Sequence, residues 1–380
     1  MYRCLTLAER GLGHVKSNPM VGSVVVHNGK IISEGYHEYY GGLHGERNAI
    51  INCDHKELLK ESTLYISLEP CNHHGKTPPC TDIILSSGIK KVVIAQLDPS
   101  PHMQGKSIEL LRKAGVSVTV GVLQKEARDL NRRFIVNIAD SIPYITLKYA
   151  SSKDGFMGKP DQQVWLSNDQ SKMLVHKWRS EYQAIMVGTN TAIIDNPILN
   201  TRLYPGASPL RIVIDRHQRI PQSHHLLSDD LETWIYTYAQ ENTLANDHKK
   251  FITIPQAQDD ELVWILEHLA KSGISSVLIE GGRSLLNSLI KKQLWHDAYI
   301  IETPKELESG IKSPKIVGKT HKTLQLLDDK ILNIRSLRLM KMLGRMAKSD
   351  LAAKATKALL GTIGVKATQS DIKRVFRNLF

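Results

Sequence analysis

Three potential metal ligands constrain this chain more than any other feature. His44 is followed by Cys71, which comes directly after a proline, and by Cys80 after eight further residues. One imidazole and two thiolates form a ligand set for a tetrahedral zinc ion, and a catalytic zinc keeps its fourth position for water. The metal lowers the pKa of that water toward neutrality, so that a nucleophile is available at pH 7. The pattern predicts a catalytic zinc site.

Glu46 stands where a proton shuttle is needed. Two residues after the histidine, at a helix start, its carboxylate cannot easily ligate the same metal, but it can reach a bound water. Residues 62–68 alternate and are rich in β-branched side chains, which predicts a strand that delivers Cys71 to its end. A helix is predicted over 81–87, and its N-terminal dipole favours a thiolate at Cys80. This layout is typical of zinc deaminases that act on nucleobases.

A structural zinc site is the alternative interpretation of the same ligands. Such a site would need a fourth protein ligand, which His73 or His74 could provide. We expect the catalytic site, because three protein ligands leave one position of the metal open and Glu46 stands two residues after His44.

The insert between the two cysteines carries a family resemblance. Residues 71–80 read Cys-Asn-His-His-Gly-Lys-Thr-Pro-Pro-Cys, which resembles the zinc loop of the bifunctional riboflavin-biosynthesis deaminase–reductase family. Ordinary cytidine and tRNA adenosine deaminases separate the two cysteines by only two residues. One departure is Gly45, where the family usually has alanine; glycine costs a helix about 1 kcal/mol relative to alanine.

The resemblance covers residues 2–333 and implies an α/β protein with two domains. A zinc-dependent pyrimidine deaminase domain, with a cytidine-deaminase-like three-layer fold, would occupy residues 1–140. An NADPH-dependent reductase domain, with a dihydrofolate-reductase-like fold, would occupy residues 143–333. The 380 residues suit two domains with an appendage, and the hairpin signal at Asn28-Gly29, followed by alternating strands and helices, independently favours an α/β first domain.

Local patterns give further expectations. One helix is predicted over 124–139, at the end of the first domain. Residues 189–202 are polar and rich in turn formers. Apolar residues at helical spacing predict that 334–380 is a basic helical appendage.

Glycines after a strand mark the expected coenzyme site. Gly281 and Gly282 follow the predicted strand 276–279 and open a helix, whose N-terminus favours phosphate. Paired glycines are more often a tight turn, and the spacing is not that of a dinucleotide fingerprint. The resemblance nevertheless assigns this loop to NADPH. It implies a coenzyme-binding set of Ser151, Trp165, Thr191, Asp195, Gly282, Arg283, Ser284, Leu285, Leu286, Asn287 and Ser288.

The resemblance also implies two successive reactions. The first removes the 2-amino group of 2,5-diamino-6-(5-phospho-ribosylamino)pyrimidin-4-one by zinc-hydroxide attack, with Glu46 moving the protons. The second reduces the ribosyl group to ribityl with NADPH. The implied substrate-binding set is Asn18, Gln163, Arg179, Leu199, Arg202 and Glu280.

Several of these residues have a plainer interpretation. Asn18 would lie beside the pyrimidine, although it could be a simple turn residue. Arg179 and Arg202 would bind the 5-phosphate, since guanidinium binds phosphate in a fork; surface ion pairs are the alternative. Arg216 stands where the family more often has a small hydroxyl residue that touches the coenzyme.

The net charge of +12 is concentrated at the C-terminus. From Ile331 onward there are eleven Lys and Arg against two acidic residues, which leaves 39 basic and 36 acidic residues elsewhere. This near-neutral body argues against a nucleic-acid-binding zinc protein. We expect the appendage to pack on the reductase domain or on a second subunit of a homo-oligomer; contact with nucleic acid or a membrane surface is the alternative.

Two further features bound the function and the location. A zinc nucleoside or tRNA deaminase with an unrelated C-terminal domain is the rival enzyme, but residues 144–155 resemble the opening of the family's reductase domain.

No apolar run is long enough to span a membrane, and residues 1–26 lack a signal pattern. Two of the four cysteines are expected to bind zinc, and the other two suit a reducing cytoplasm.

Overall fold

Two β-sheets organise the longer of the chain's two compact units. The computed structural model describes residues 1–240, 245–256 and 260–345. The first unit is Met1–Ser336, which contains both predicted domains, and the second begins at Leu337. Within the second unit, residues 337–345 are helical.

The first sheet is the centre of the N-terminal domain. In chain order the elements are α1 (Tyr2–Glu9), β1 (Gly22–His27), β2 (Lys30–Tyr36), α2 (Gly45–Ile51), a 3₁₀ helix (Lys56–Glu61), β3 (Thr63–Ile66), α3 (Cys80–Ser86), β4 (Lys91–Ile94), α4 (Lys106–Lys113), β5 (Ser117–Val120), α5 (Gln124–Leu130) and α6 (Arg132–Ala139). The strand order is β2-β1-β3-β4-β5. β1 is antiparallel to β2 and β3, whereas β3, β4 and β5 are parallel.

Alternation along the strands produces the three layers. Leu64 and Ile66 of β3 point into a core that α2, α3 and α4 cover on one face of the sheet. On the opposite face Val24 of β1 packs with Cys4 and Leu7 of α1. Because successive side chains of a strand point to opposite faces, one short sheet carries helices on both sides. The predicted three-layer domain is confirmed.

The hairpin between β1 and β2 forms as predicted, whereas the predicted helix 124–139 does not. Asn28 and Gly29 have φ values of 47° and 75°, the left-handed pair that a two-residue hairpin needs. The helix prediction was wrong at Asn131, which separates α5 from α6. The Asn131 side chain accepts a hydrogen bond from Met20 N at 2.8 Å and donates one to Met20 O at 3.0 Å. Helical periodicity cannot predict this break, because it depends on hydrogen bonds to a residue that is distant in the sequence.

The second sheet forms the reductase domain. Its elements are β6 (Tyr144–Ser151), β7 (Phe156–Gly158), α7 (Asp169–Ser180), β8 (Ala184–Gly188), α8 (Thr189–Asp195), β9 (Leu210–Ile214), α9 (His225–Ser228), β10 (Thr233–Thr237), β11 (Lys249–Thr253), α10 (Glu261–Lys271), β12 (Ser276–Ile279), α11 (Arg283–Lys291), β13 (Asp297–Glu302), β14 (Ile311–Lys312), β15 (Gly318–Leu326) and β16 (Asp329–Ser336). Nine strands lie in the order β11-β10-β9-β8-β12-β6-β13-β16-β15, and β14 pairs with β7 in a small separate sheet.

The direction of the strands places the functional loops. From β11 to β13 the neighbouring strands are parallel, whereas β16 is antiparallel to both of its neighbours, β13 and β15. The carboxyl ends of parallel strands meet at one edge of a sheet, where ligands of α/β proteins bind. At that edge β8 continues into α8, and the Gly281-Gly282 turn joins the central strand β12 to α11.

Two sequence-based expectations for this domain need correction. The segment 189–202, predicted as turn-rich, begins with the helix α8, whose Thr189 hydroxyl donates to Ile214 O at 2.6 Å. The reductase domain was predicted to end at residue 333, but β16 runs to Ser336 and pairs with β13 and β15. The predicted appendage 334–380 therefore begins inside a strand, and its residues 346–380 lie outside the described part of the chain.

Within the described ranges, none of the helices is long and apolar enough to cross a membrane.

Candidate metal site and reductase cleft

The three predicted zinc ligands converge at one point. His44 Nδ1 lies 3.3 Å from Cys80 Sγ and 3.5 Å from Cys71 Sγ. All three ligand atoms lie within 4.8 Å of one another, and within the described residues no other His, Cys, Asp and Glu side chains form such a group. Tetrahedral zinc bonds to nitrogen and sulfur separate the ligand atoms by roughly 3.6 Å. The side chains therefore fit a zinc ion.

Helix termini position these ligands. His44 is the N-cap residue of α2, and Cys80 is the first residue of α3. Cys80 N donates to Cys71 Sγ at 3.3 Å. Arg47 of α2 donates to Pro79 O at 3.2 Å, so it ties the long insert between the cysteines to the helix that begins beside His44.

Hydrogen bonds within the ligand group favour a thiolate at Cys71. The hydrogen bond with the Cys80 thiol lowers the pKa of Cys71 to about 4, and the His44 imidazole contributes, although burial opposes the shift. The same contact raises the pKa of Cys80, and burial adds to this effect. The pair thus shares one thiolate charge, which is the form that binds a metal.

Glu46 is a buried carboxylate that lacks a full set of partners. Its side chain is in the first turn of α2, only 2 % of the residue is exposed, and burial raises its pKa to about 7. Among the described residues nothing hydrogen-bonds its Oε2 atom. A buried polar atom without a partner is costly, so the atom marks the place of a ligand. His73 and His74 are exposed and outside the ligand group, which disfavours the structural zinc site.

A pocket of about 290 Å³ opens in front of Glu46. It is lined by Asn18, His37, Tyr40, His44, Glu46, Glu69, Cys71, Lys76 and Asp98, among others. Asn18 Nδ2 lies 3.1 Å from His37 Nε2, and His37 Nδ1 lies 3.0 Å from Leu43 O. His37 therefore donates to Leu43 and accepts from Asn18, which leaves the amide oxygen of Asn18 for a ligand.

Sequence reasoning missed Glu69. Its carboxylate accepts hydrogen bonds from Gly105 N at 3.0 Å, Ser107 Oγ at 2.6 Å and Asp98 N at 3.2 Å. It therefore anchors the loop that carries Asp98 to the pocket rim. The only local signal was its place directly before the Pro70-Cys71 pair.

The predicted reductase residues meet in a second cavity, of about 650 Å³. It lies at the carboxyl ends of β6, β8 and β12. From the coenzyme set it is lined by Trp165, Thr191, Asp195, Gly282, Arg283, Ser284 and Asn287, and from the substrate set by Gln163, Arg179, Leu199, Arg202 and Glu280. The structure therefore brings together most of both sets, which are scattered over more than a hundred residues of sequence.

The remaining predicted residues lie elsewhere. Ser151 Oγ donates to Ser152 O and accepts from Ser313 Oγ, so its hydroxyl is already engaged. Leu286 is fully buried in the core, where its side chain cannot touch a coenzyme. Leu285 and Ser288 line a neighbouring groove. Asn18 belongs to the zinc pocket.

A buried ion cluster lies at the centre of the cleft. Arg179 Nε and Nη2 donate to the two Glu280 oxygens at 2.7 and 2.8 Å, and Lys148 Nζ lies 3.4 Å from Glu280 Oε2. Burial alone would raise the pKa of Glu280, but the two cations hold it at about 2. Sequence reasoning missed Lys148, although a charged residue inside the apolar strand β6 was a usable signal.

The two predicted phosphate ligands differ in their surroundings. Arg179 is mostly occupied by Glu280 and also donates to Asn200 O at 3.0 Å. Arg202 is exposed, donates to Asn200 Oδ1 at 3.0 Å, and forms no ion pair with a described residue. His176 lines the same cleft. Its burial lowers its pKa to about 4, and the positive charges of Arg179 and Arg202 add to this shift. His176 is therefore neutral at pH 7, and its Nδ1 accepts from Leu203 N at 3.4 Å.

Comparisons with known proteins match both domains. A family model described as the RibD C-terminal domain matches residues 143–341, and one described as the cytidine and deoxycytidylate deaminase zinc-binding region matches residues 1–96. The riboflavin biosynthesis protein RibD of Actinobacillus pleuropneumoniae is 37% identical over 326 residues, covering 84% of this chain and 86% of that protein. The chain belongs to the RibD family. RibD of Aquifex aeolicus is 39% identical over 314 residues, covering 82% of this chain and 88% of that protein.

A solved RibD-type structure has the same architecture. The Thermotoga maritima protein, described as a diaminohydroxyphosphoribosylaminopyrimidine deaminase/5-amino-6-(5-phosphoribosylamino)uracil reductase, is 33% identical with a TM-score of 0.80. The match covers 88% of this chain and 97% of that one. The expected α/β class, a deaminase-like domain followed by a reductase domain, is confirmed.

Family membership settles the class of function. The chain is a bifunctional enzyme of riboflavin biosynthesis, with a deaminase (hydrolase) domain and a reductase (oxidoreductase) domain. Its cofactors are zinc in the first domain and NADPH in the second. A nucleoside or tRNA deaminase with an unrelated second domain is not favoured.

Proposed function

We propose that the His44–Cys71–Cys80 site deaminates 2,5-diamino-6-(5-phospho-ribosylamino)pyrimidin-4-one, and that the reductase cleft converts the ribosyl group of the product to ribityl. The observation that carries this proposal is the grouping of the three ligand atoms at a pocket that Glu46 also lines, where no described residue hydrogen-bonds Glu46 Oε2. The description of the Thermotoga maritima protein, which names both activities, supports the same pair of reactions.

In the deaminase pocket the chain positions the pyrimidine and moves protons. Zinc held by His44, Cys71 and Cys80 would supply an activated water. Glu46 would accept one proton from this water and pass it to the ring nitrogen, and it would then carry the proton of the newly added hydroxyl group to the amino group, which leaves as ammonia. Asn18, oriented by His37, would accept a hydrogen bond from the pyrimidine through its free amide oxygen.

In the reductase cleft the chain orients the sugar and its phosphate. NADPH would supply the hydride. Glu280, ionised because of its two cations, would accept hydrogen bonds from ribose hydroxyls. Lys148, beside Glu280 in the same cleft, would donate a hydrogen bond to the sugar oxygen on which negative charge develops. Arg202, exposed at the cleft and without a carboxylate partner among the described residues, is the better of the two arginines for the 5-phosphate.

The Gly281-Gly282 turn would receive the coenzyme pyrophosphate. Its two φ values are 117° and 75°, which favour glycine. A Cβ atom at Gly282 would lie 3.1 Å from Thr191 Oγ1, so a side chain would narrow the space beside the turn. The backbone amide groups at the start of α11 would donate hydrogen bonds to the pyrophosphate.

The remaining assignments follow the same proposal. The partner is a small pyrimidine ribotide phosphate, rather than a nucleic acid or a membrane. A reducing cytoplasm suits four cysteines, Cys4, Cys53, Cys71 and Cys80, that form no disulfide. A homo-oligomer is the assembly that the apolar stripe beyond Ser336 predicts.

One assay with a variant pair tests the proposal. The diaminopyrimidine ribotide and NADPH are supplied together, and ammonia release and NADPH absorbance are followed in parallel. Cys71→Ser should lose zinc and ammonia release, while NADPH oxidation with pre-deaminated substrate continues. Cys53→Ser, at a buried cysteine outside the metal site, serves as the matched control. Loss of both reactions in a folded Cys71 variant would contradict two separate sites.

A further inference from the structure

Two residues of α7 hold the segment that carries Arg202. Arg179 Nη1 donates to Asn200 O at 3.0 Å, and His176 Nδ1 accepts a hydrogen bond from Leu203 N at 3.4 Å. Side chains three residues apart lie on the same face of a helix, so one face of α7 contacts this segment at both of its ends. Arg202 lies between the two contacts. The side chains of His176, Arg179 and Arg202 therefore meet at one part of the reductase cleft, which all three line.

His176 keeps one hydrogen-bond donor for a ligand. Burial lowers its pKa to about 4, so the ring is neutral at pH 7. Because Nδ1 accepts from Leu203 N, the single ring proton is on Nε2. Among the described residues, none accepts a hydrogen bond from this Nε2–H group, although the residue is only 4% exposed. A buried donor without an acceptor is costly, and a ligand in the cleft would supply the acceptor.

The charges around His176 favour an anion in this part of the cleft. The strongest of them come from Arg179, Arg202, Glu280 and Lys148, in that order. Three cations thus face one carboxylate, and the excess of two positive charges matches the charge of about −2 on a phosphate monoester. A neutral N–H donor at this place adds a hydrogen bond to the anion without adding a fourth cation, which the neighbouring arginines would repel.

We propose that His176 makes the reductase specific for a phosphorylated sugar, because its Nε2–H group donates a hydrogen bond to the 5′-phosphate that Arg202 binds. The inference rests on the proposed function, which places this phosphate at Arg202. It gives a role to a residue outside the substrate-binding set that the family resemblance implies. The property required at position 176 is a hydrogen-bond donor at the place of Nε2, rather than a positive charge.

Two substitutions separate the roles of the two ring nitrogens. H176Q places a side-chain N–H group near the position of Nε2. H176N can accept from Leu203 N through its amide oxygen, but its side chain is too short to replace Nε2. NADPH oxidation is followed with pre-deaminated substrate and with the same compound lacking its phosphate. For the phosphorylated compound, KM should rise on the order of 10- to 100-fold in H176N, the range for a lost hydrogen bond to a charged group, and kcat should change less. In H176Q, KM should stay within about threefold of wild type.

The compound without phosphate is the internal control. Its KM should be the same in wild type and in both variants, and His248→Leu, at an exposed histidine of the same domain, should change neither KM. A KM that rises equally for both compounds, or that rises as much in H176Q as in H176N, would overturn the inference and leave the proposed reductase standing. A wild-type protein that oxidises NADPH with neither compound would overturn both.

A second measurement does not depend on the folding of H176N. In wild-type protein with ¹⁵N-labelled histidine rings, the Nε2 resonance of His176 is assigned by its absence in H176Q. Ribitol 5-phosphate, which carries the phosphorylated side chain of the product without the pyrimidine, should shift this resonance, and ribitol should not. An Nε2 resonance that responds to neither compound, or to both alike, would overturn the inference.

Discussion

Arg132 of α6 and Asp297 of β13 form an ion pair, with Nε 3.1 Å from Oδ2, that joins the deaminase domain to the reductase sheet. Asp297 is fully buried, and the Tyr144 hydroxyl donates to the same oxygen at 2.7 Å. Arg133, the next residue of α6, lies 4.0 Å from the ring centroid of Tyr182. These contacts explain why residues 1–336 form one compact unit although they carry two different catalytic sites.

Asp297→Asn should destabilise this unit strongly. The substitution leaves the Arg132 charge without its partner inside the interface, and breaking a buried pair in this way costs about 3 kcal/mol or more. Urea unfolding should reveal the loss. Asp169→Asn is the matched control, because Asp169 pairs with Lys172 at 3.0 Å on the surface and exposed pairs contribute less than about 1 kcal/mol. Similar small losses in both variants would mean that the interface does not depend on this pair.

Glu46→Gln should separate zinc binding from turnover. The amide keeps the shape of the side chain but cannot carry a proton, so zinc content should stay at the wild-type level. Ammonia release should fall by at least about 10²-fold, the usual scale for the loss of a general acid–base group. Glu57→Gln, in the exposed 3₁₀ helix, is the control. Turnover at the wild-type rate in the Glu46 variant would remove this residue from the mechanism.

Gly45→Ala should destabilise the protein, contrary to helix propensity. Alanine would favour the helix by at most about 1 kcal/mol. However, the added Cβ would lie 2.8 Å from Val21 O and 3.3 Å from Tyr36 Cα, and such overpacking costs about 1–3 kcal/mol. Thermal melting and zinc content should both fall. Gly75→Ala, where the Cβ would meet nothing within 4 Å, should leave both unchanged; the same result for Gly45→Ala would show that α2 can shift freely.

Residues whose role depends on a short motif could be predicted from the sequence. His44, Glu46, Cys71 and Cys80 supply metal ligands and a proton carrier within one short stretch, so this group can be predicted without knowledge of the fold. The Asn28-Gly29 hairpin was equally local. Gly45 marks the limit of this reasoning: its role depends on the distance between a helix and a strand backbone.

Residues whose role depends on tertiary contacts could not be predicted. The break at Asn131 follows from its pairing with Met20, and the role of Glu69 follows from backbone amides far along the chain. Arg179 looked like a phosphate ligand, because the sequence does not place Glu280 and Lys148 beside it. The family resemblance implied that every residue of 282–288 binds the coenzyme. Residues from Arg283 onward form the helix α11, however, and the side chain of Leu286 lies in the core.

His176 should make stability depend on pH between about 6.5 and 4. Burial and the neighbouring arginines lower its pKa from 6.5 to about 4, so below pH 6.5 the unfolded chain takes up a proton that the folded chain does not. The free energy of unfolding therefore falls as the pH drops through this window. Melting temperatures of wild type and His176→Gln should run parallel above pH 6.5, and wild type should fall more steeply below it. Parallel curves throughout the range would contradict the lowered pKa.

Removing the basic tail should affect stability or assembly more than catalysis. Both cavities lie before Ser336, and the RibD C-terminal model ends at residue 341. A chain that ends at Arg345 should therefore keep both reactions. The sequence beyond it has apolar residues at helical spacing, among them Leu351, Ala355 and Leu359, and such a stripe needs a surface to pack against.

The truncated chain should thus melt at a lower temperature or elute at a different size than wild type. Salt should change this difference little, since apolar packing is not screened as exposed charges are. The control is the full-length double variant Lys354→Gln/Lys357→Gln, which keeps the apolar residues of the tail and removes two positive charges. Its melting temperature and its elution volume should equal those of wild type. If truncation alters neither property but abolishes binding to polyanions, and the two lysine substitutions weaken that binding, then the tail acts through its charge and the packing hypothesis is wrong.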